Sequence, residues 1–73
     1  MNKSEKVREH LRRYKSITSW RAIEKYNETR LSSVIFNCRE DGWDIESEWH
    51  YKYDKDHDLH KYVKYKLVSL PEE

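Results

Sequence analysis

The chain has 73 residues, 36% of them apolar and 40% charged, with a formal net charge of +1. A domain of that length buries only about 60% of its unfolded surface, so one small core is the most it can build. Composition this polar borders on disorder, but ten aromatic residues, three of them Trp, supply the large burial units that disordered chains lack. A lone Cys38 excludes an internal disulfide and a thiolate zinc site and suits a reducing, cytoplasmic setting. No apolar run approaches the roughly 20 residues that span a bilayer, and the polar start M-N-K-S-E-K-V-R-E has no secretory core, so no membrane partner is expected. The small net charge hides a division: residues 1–39 hold ten Lys/Arg and four Asp/Glu (+6), and residues 40–73 hold five Lys and ten Asp/Glu (−5).

From residue 3 to 14, Val7, Leu11 and Tyr14 recur at helical spacing, and Ser4 is a candidate cap. Ile17 then stands before Thr18, as a staple or as a one-residue contact with a later sheet. Thr18 is the expected cap of a second helix over 18–26, with Trp20, Ile23 and Tyr26 on the inner side and Ala22 allowing a neighbour to approach closely. Asn27-Glu28 is a connection of helix-turn-helix length, and Thr29 is the expected cap of a third helix over 30–41. In that helix Leu31, Val34, Ile35 and Cys38 form one stripe, and Phe36 falls outside it. Gly42 suits a left-handed stop.

Beyond it, Trp43, Ile45, Ser47, Trp49, Tyr51 and Tyr53 alternate with polar residues, which predicts a half-buried strand over 43–53. The polar run D-K-D-H-D is a tip, residues 60–68 form the returning strand, and 69–73 are a tail. The expected core comprises Leu11, Trp20, Ile23, Leu31, Ile35, Ile45, Val63 and Leu67. The expectation is a single α+β domain over 1–73, a winged helix-turn-helix of three helices followed by a two-stranded antiparallel hairpin.

The runs S-I-T-S-W-R-A-I-E-K-Y (16–26), T-R-L-S-S (29–33), G-W-D-I-E-S-E-W (42–49) and K-Y-V-K-Y-K-L (61–67) resemble the small winged helix-turn-helix proteins of phage and prophage genomes. The resemblance implies a DNA-binding module of regulator or excisionase-like type. The chain departs from that pattern at Asn27, where a glycine is common, and at Arg39-Glu40-Asp41, where the helix end tends to be basic.

Were the third helix to enter a major groove, Arg30 has the chemistry to pair with guanine and Asn37 with adenine, while Ser32, Ser33 and Phe36 offer hydroxyl and apolar contacts. With Thr29 these make up the expected DNA-binding set. The aspartates of the tip mimic a calcium loop, but Leu59 and Tyr65 stand where glycine and glutamate are required. His57 and His60 on such a tip make a poorly organised metal site, and Cys38 reads as a small buried hydrophobe. No cofactor is implied and no catalytic constellation is present, so an enzyme is not expected. Two functional classes remain: a DNA-binding protein on duplex DNA, as a homodimer or a cooperative array, and a protein-interaction module that engages a host or phage protein through its acidic hairpin.

Overall fold

The structure, a computed structural model, describes residues 2–71, so Glu72 and Glu73 of the expected tail lie outside the described residues. Helix α1 (Lys3–Tyr14) leads to a short strand β1 (Ser16–Thr18), then α2 (Ser19–Tyr26), α3 (Leu31–Glu40), β2 (Asp44–Tyr53) and β3 (Leu59–Ser69). The hairpin is joined by β1 into one antiparallel three-stranded sheet of order β1-β3-β2. The winged helix-turn-helix architecture therefore carries one strand more than the expected hairpin: Ile17 sits opposite Tyr65 and is buried.

Local chemistry explains each boundary. The side chain of Asn2, rather than Ser4, caps α1 by accepting from the Glu5 N–H at 2.8 Å. Lys15 ends that helix in the left-handed conformation at φ 68°, and its carbonyl then accepts from Leu67 N–H at 2.8 Å, which locks the helix end to the sheet. Thr18 Oγ1 accepts from Arg21 N–H at 3.0 Å and starts α2 as expected. Asn27 at φ 54° closes it, where a short polar side chain tolerates a geometry that costs most residues about 1–2 kcal/mol.

Thr29 does not cap α3. Arg30 occupies that position without a side-chain bond, because a guanidinium has no acceptor for the first-turn N–H groups; its own N–H donates to the Glu28 carboxylate at 2.8 Å. Gly42 at φ 92° ends α3, and the Trp43 N–H returns to Cys38 O at 3.0 Å to aim the chain into β2.

One cluster of buried side chains joins all three helices to the sheet: Val7 and Leu11 from α1, Ala22 from α2, Leu31, Ile35 and Cys38 from α3, and Ile17, Ile45 and Leu67 from the strands. Burial of each large aliphatic side chain is worth about 1.5–3 kcal/mol. Helix α2 is rotated from expectation. Ala22 is fully buried against the core, whereas Trp20 and Ile23 are 43% and 40% exposed. A methyl side chain there lets α2 approach closely, and that leaves no room beneath it for the two larger residues.

Helix α1 also differs, since His10 takes the inner position and Tyr14 is exposed. The His10 ring stays satisfied there by a 2.7 Å hydrogen bond between Nδ1 and the Tyr26 hydroxyl. Val63 is only partly buried and packs at the margin of the cluster.

Candidate nucleic-acid interface

Strand length decides what the helices leave uncovered. Ten residues of β2 extend about 33 Å. Ten residues of α3 extend about 15 Å. The sheet must outrun its helical layer, and the described chain is correspondingly elongated, 48 × 24 × 19 Å. The expected half-buried alternation of β2 therefore holds only at its base: Trp43 and Ile45 are buried, while Trp49, Tyr51 and Tyr53 are exposed.

Register shows which side these aromatics occupy. Ile45 pairs with Leu67, Ser47 with Tyr65, Trp49 with Val63, Tyr51 with Lys61 and Tyr53 with Leu59. All ten share the face that is buried under the helices at the sheet's base. The distal wing thus presents three aromatics, Leu59 and Lys61 on its helix side, with the Lys61 ammonium 4.4 Å from the Trp49 ring centroid.

Acid is excluded from that side. Glu46 and Glu48 point to the opposite face, opposite Lys66 and Lys64, and Glu48 is engaged at 2.7 Å by Lys66 and at 3.1 Å by His50. Those hydrogen bonds, from Lys66 first and then His50, hold the Glu48 carboxyl below its ordinary range.

The tip aspartates have a structural task as well. Asp54 Oδ1 accepts from the N–H groups of Asp56 and Asp58 at 2.9 and 3.0 Å, and Oδ2 lies 2.6 Å from His60 Nε2. The His60 bond and then the two backbone N–H groups lower the Asp54 pKa. The carboxylates of Asp54, Asp56 and Asp58 come within 4.8 Å of one another on the exposed tip, a proximity that this turn accounts for.

Helix α3 flanks the base of the wing. Ser32, Ser33, Phe36 and Asn37 are all exposed on its outer side, and Phe36 is 62% exposed although the preceding Ile35 is buried. Thr29 and Arg30 are exposed just before the first turn. A groove of about 170 Å³ runs from this end of α3 to the wing, lined by Glu28, Thr29, Ser32, Ile23 of α2, and Val63 and Tyr65 of β3, with Glu28 held by the Arg30 N–H. Four of the six expected residues therefore lie along α3 and two just before it, with Thr29 and Ser32 opening onto the groove. Periodicity alone gave no warning of the wing's Trp49, Tyr51 and Lys61, but the mismatch between strand and helix lengths did contain that signal.

The basic half of the chain is partly committed elsewhere. The guanidinium groups of Arg8 and Arg12 lie 5.4 and 5.0 Å from the Trp43 ring centroid, and Arg8 bonds Asp41 at 2.7 Å. Arg39 donates from Nη2 to Ile45 O at 2.7 Å. Arg21 and Lys25 line a separate cleft of about 400 Å³ with Lys64, His10 and Thr18. They stand two residues from Ser19 and Ile23, which line the α3 groove, and so occupy the other side of α2. Positive charge on the α3 side and the helix-side face of the wing is left to Arg30 and Lys61; Lys52 lies 5.8 Å from the Trp20 ring centroid and Lys55 stands at the tip.

Cys38 is fully buried, and that burial raises its thiol pKa, as a core hydrophobe requires. No helix among the described residues is long and apolar enough to cross a membrane.

Comparison with known proteins returned one family, and no curated protein or solved structure matched the chain. The matching family model is described as a winged helix-turn-helix domain and extends over residues 2–69, from the cap of α1 to the end of β3. Domains of this kind point to DNA as the partner. With helix order, interposed β1 and wing all in place, the chain belongs to the winged helix-turn-helix domain family.

Proposed function

We propose that this protein binds duplex DNA with the outer side of α3 in the major groove and the helix-side face of the wing along the adjoining backbone. The observation that carries the reading is the composition of that surface. The outer side of α3 offers Ser32, Ser33, Phe36 and Asn37, and the wing offers aromatics and Lys61, with its acid turned to the far face or the tip. Asn37 supplies adenine-type bidentate hydrogen bonding and Phe36 an apolar contact to a thymine methyl. Arg30, at the uncapped start of α3, supplies charge for phosphate or guanine.

In this role the chain acts as a regulator or an excisionase-like recombination accessory factor of phage type, a reading supported by its resemblance to such proteins. The competing reading, a protein antagonist with an acidic hairpin, loses support because Asp54 and Glu48 are engaged within the wing.

The test is fluorescence anisotropy against a randomised duplex library at low salt, followed by Asn37→Ala and Phe36→Ala. Selected sequences that lose preference at one or two positions in these variants support the placement. Unchanged selectivity in both variants contradicts it.

A further inference from the structure

The strand order leaves β2 at the edge of the sheet. Its free hydrogen-bonding positions follow from the ladder. Leu67 gives its N–H to Lys15 on the β1 side, so Leu67 and the alternate residues Tyr65 and Val63 turn away from β2. Their partners Ile45, Ser47 and Trp49, with Tyr51 and Tyr53 in the same phase, must then direct N–H and C=O outward. Arg39 confirms the phase by reaching the outward carbonyl of Ile45. From Ser47 to Tyr53 no backbone bond to another strand among the described residues satisfies these groups, and the strand is long and aromatic, the kind of edge that recruits another strand.

Charge along that edge is self-complementary. On the far face Glu46 and Glu48 are followed by His50 and Lys52. In an antiparallel pair of β2 strands centred on Trp49, Glu46 faces the partner's Lys52, a charge pair that occurs twice, while Glu48 stays held by Lys66 and His50 of its own chain. Trp49 then meets the partner's Trp49, and Tyr51 meets the partner's Ser47, on the helix-side face. A shift of two residues either way sets Glu48 against the partner's Glu48 or Glu46 against the partner's Asp54. The Arg39 cap on Ile45 ends the free edge before Asp44 reaches the partner's Asp54. The opposite free edge, the distal part of β3, carries Lys61 and no acid, so it does not complement itself.

We propose that β2 is a homodimerisation edge, on which a second copy of this chain pairs antiparallel about Trp49 to make one continuous sheet. The pairing does not depend on DNA and is measured without it. The two-fold axis runs through the sheet, so both helical layers lie on one side of it. The consequence that the preferred DNA site is an inverted repeat rests on the function proposed above.

Sedimentation equilibrium of the full chain over a concentration series is the test, with circular dichroism to confirm folding. The wild type should form a dimer and nothing larger. Glu46→Lys and Lys52→Glu, each alone, should raise the dimer dissociation constant by about tenfold or more, and the double exchange should restore it. If Glu46→Lys fails to fold, the exposed Lys52→Glu carries the same test. Ser47→Pro should also leave a folded monomer, because its N–H points away from β3. A wild type that stays monomeric up to millimolar concentration overturns the proposal. So does a dimer that both charge reversals leave intact, or one that the double exchange fails to restore.

Discussion

Neighbouring residues of α3 have opposite fates, which makes a sharp test of its orientation. Ile35 is 1% exposed in the cluster that joins all three helices to the sheet, and Phe36 is 62% exposed. Truncation of a buried Ile to Ala removes three carbons from a packed site and costs about 2–5 kcal/mol, the upper end where neighbours cannot collapse into the space. Ile35 lies where helix and sheet layers meet, so collapse would require two layers to move. The total stability of a 73-residue domain is of order 4–11 kcal/mol, so Ile35→Ala removes about half of it. Phe36→Ala, a larger truncation by volume, should stay within about 0.5 kcal/mol. Urea denaturation followed by Trp fluorescence at 25 °C measures both, and Trp43 in the core reports the transition. If Phe36→Ala shifts the midpoint as far as Ile35→Ala, or Ile35→Ala leaves it unchanged, the helix is turned differently and the interface assigned to its outer side is wrong.

Burial first, and then the charges of Lys25 and Arg21, depress the His10 pKa below its ordinary 6.5, so the fold holds a neutral imidazole. The unfolded chain takes up the proton first; stability is therefore full above about pH 6.5 and declines as pH falls toward the folded pKa, and His10→Gln should flatten that slope in urea midpoints compared between about pH 7.5 and 5.5. Gly42→Ala forces a Cβ into φ 92° and 3.2 Å from Pro71 Cβ. It should lower stability by about 1–2 kcal/mol in the same denaturation assay, and an unchanged midpoint would show that the α3 stop tolerates a side chain. Asp56→Asn with Asp58→Asn keeps Asp54, which ties the tip, and removes two charges from the wing. Non-specific DNA affinity should rise about two- to tenfold at low salt in anisotropy titrations, whereas lost binding would make the tip itself a DNA contact.

The elements were legible where a local signal is also the structural cause. Thr18 caps α2, Asn27 and Gly42 take left-handed turns, and the Leu31, Val34, Ile35, Cys38 stripe of α3 is buried as its spacing implies. Legibility failed where burial depends on the partner's shape. In α2 the sequence places two large apolar residues and one alanine within reach of the core, and hydrophobicity favours Trp20 and Ile23. Close helix packing selects Ala22 instead. His10 was missed for the converse reason: a polar residue can be buried when Tyr26, sixteen positions away, supplies its hydrogen bond. Alternation in β2 located the strand correctly but not how far the helices cover it, so exposed Trp49 and Tyr51 were read as half-buried. The outward placement of Ser32, Ser33, Phe36 and Asn37 follows from one helix and was accessible to periodicity. Strand length against helix length marks the wing as uncovered, but the face its aromatics and Lys61 share depends on cross-strand register, which a single sequence does not display.

The central claim is that Arg30, the outer side of α3 and Lys61 form the DNA surface, and the salt dependence of duplex affinity tests it most directly. Two phosphate-neutralising cations give a slope of log K against log salt of about −2, and Arg30→Ala and Lys61→Ala should each reduce it by about one. Arg21→Ala, on the other side of α2, should leave the slope unchanged. A slope that responds to Arg21 and ignores Arg30 and Lys61, or no binding at low salt, would contradict the account.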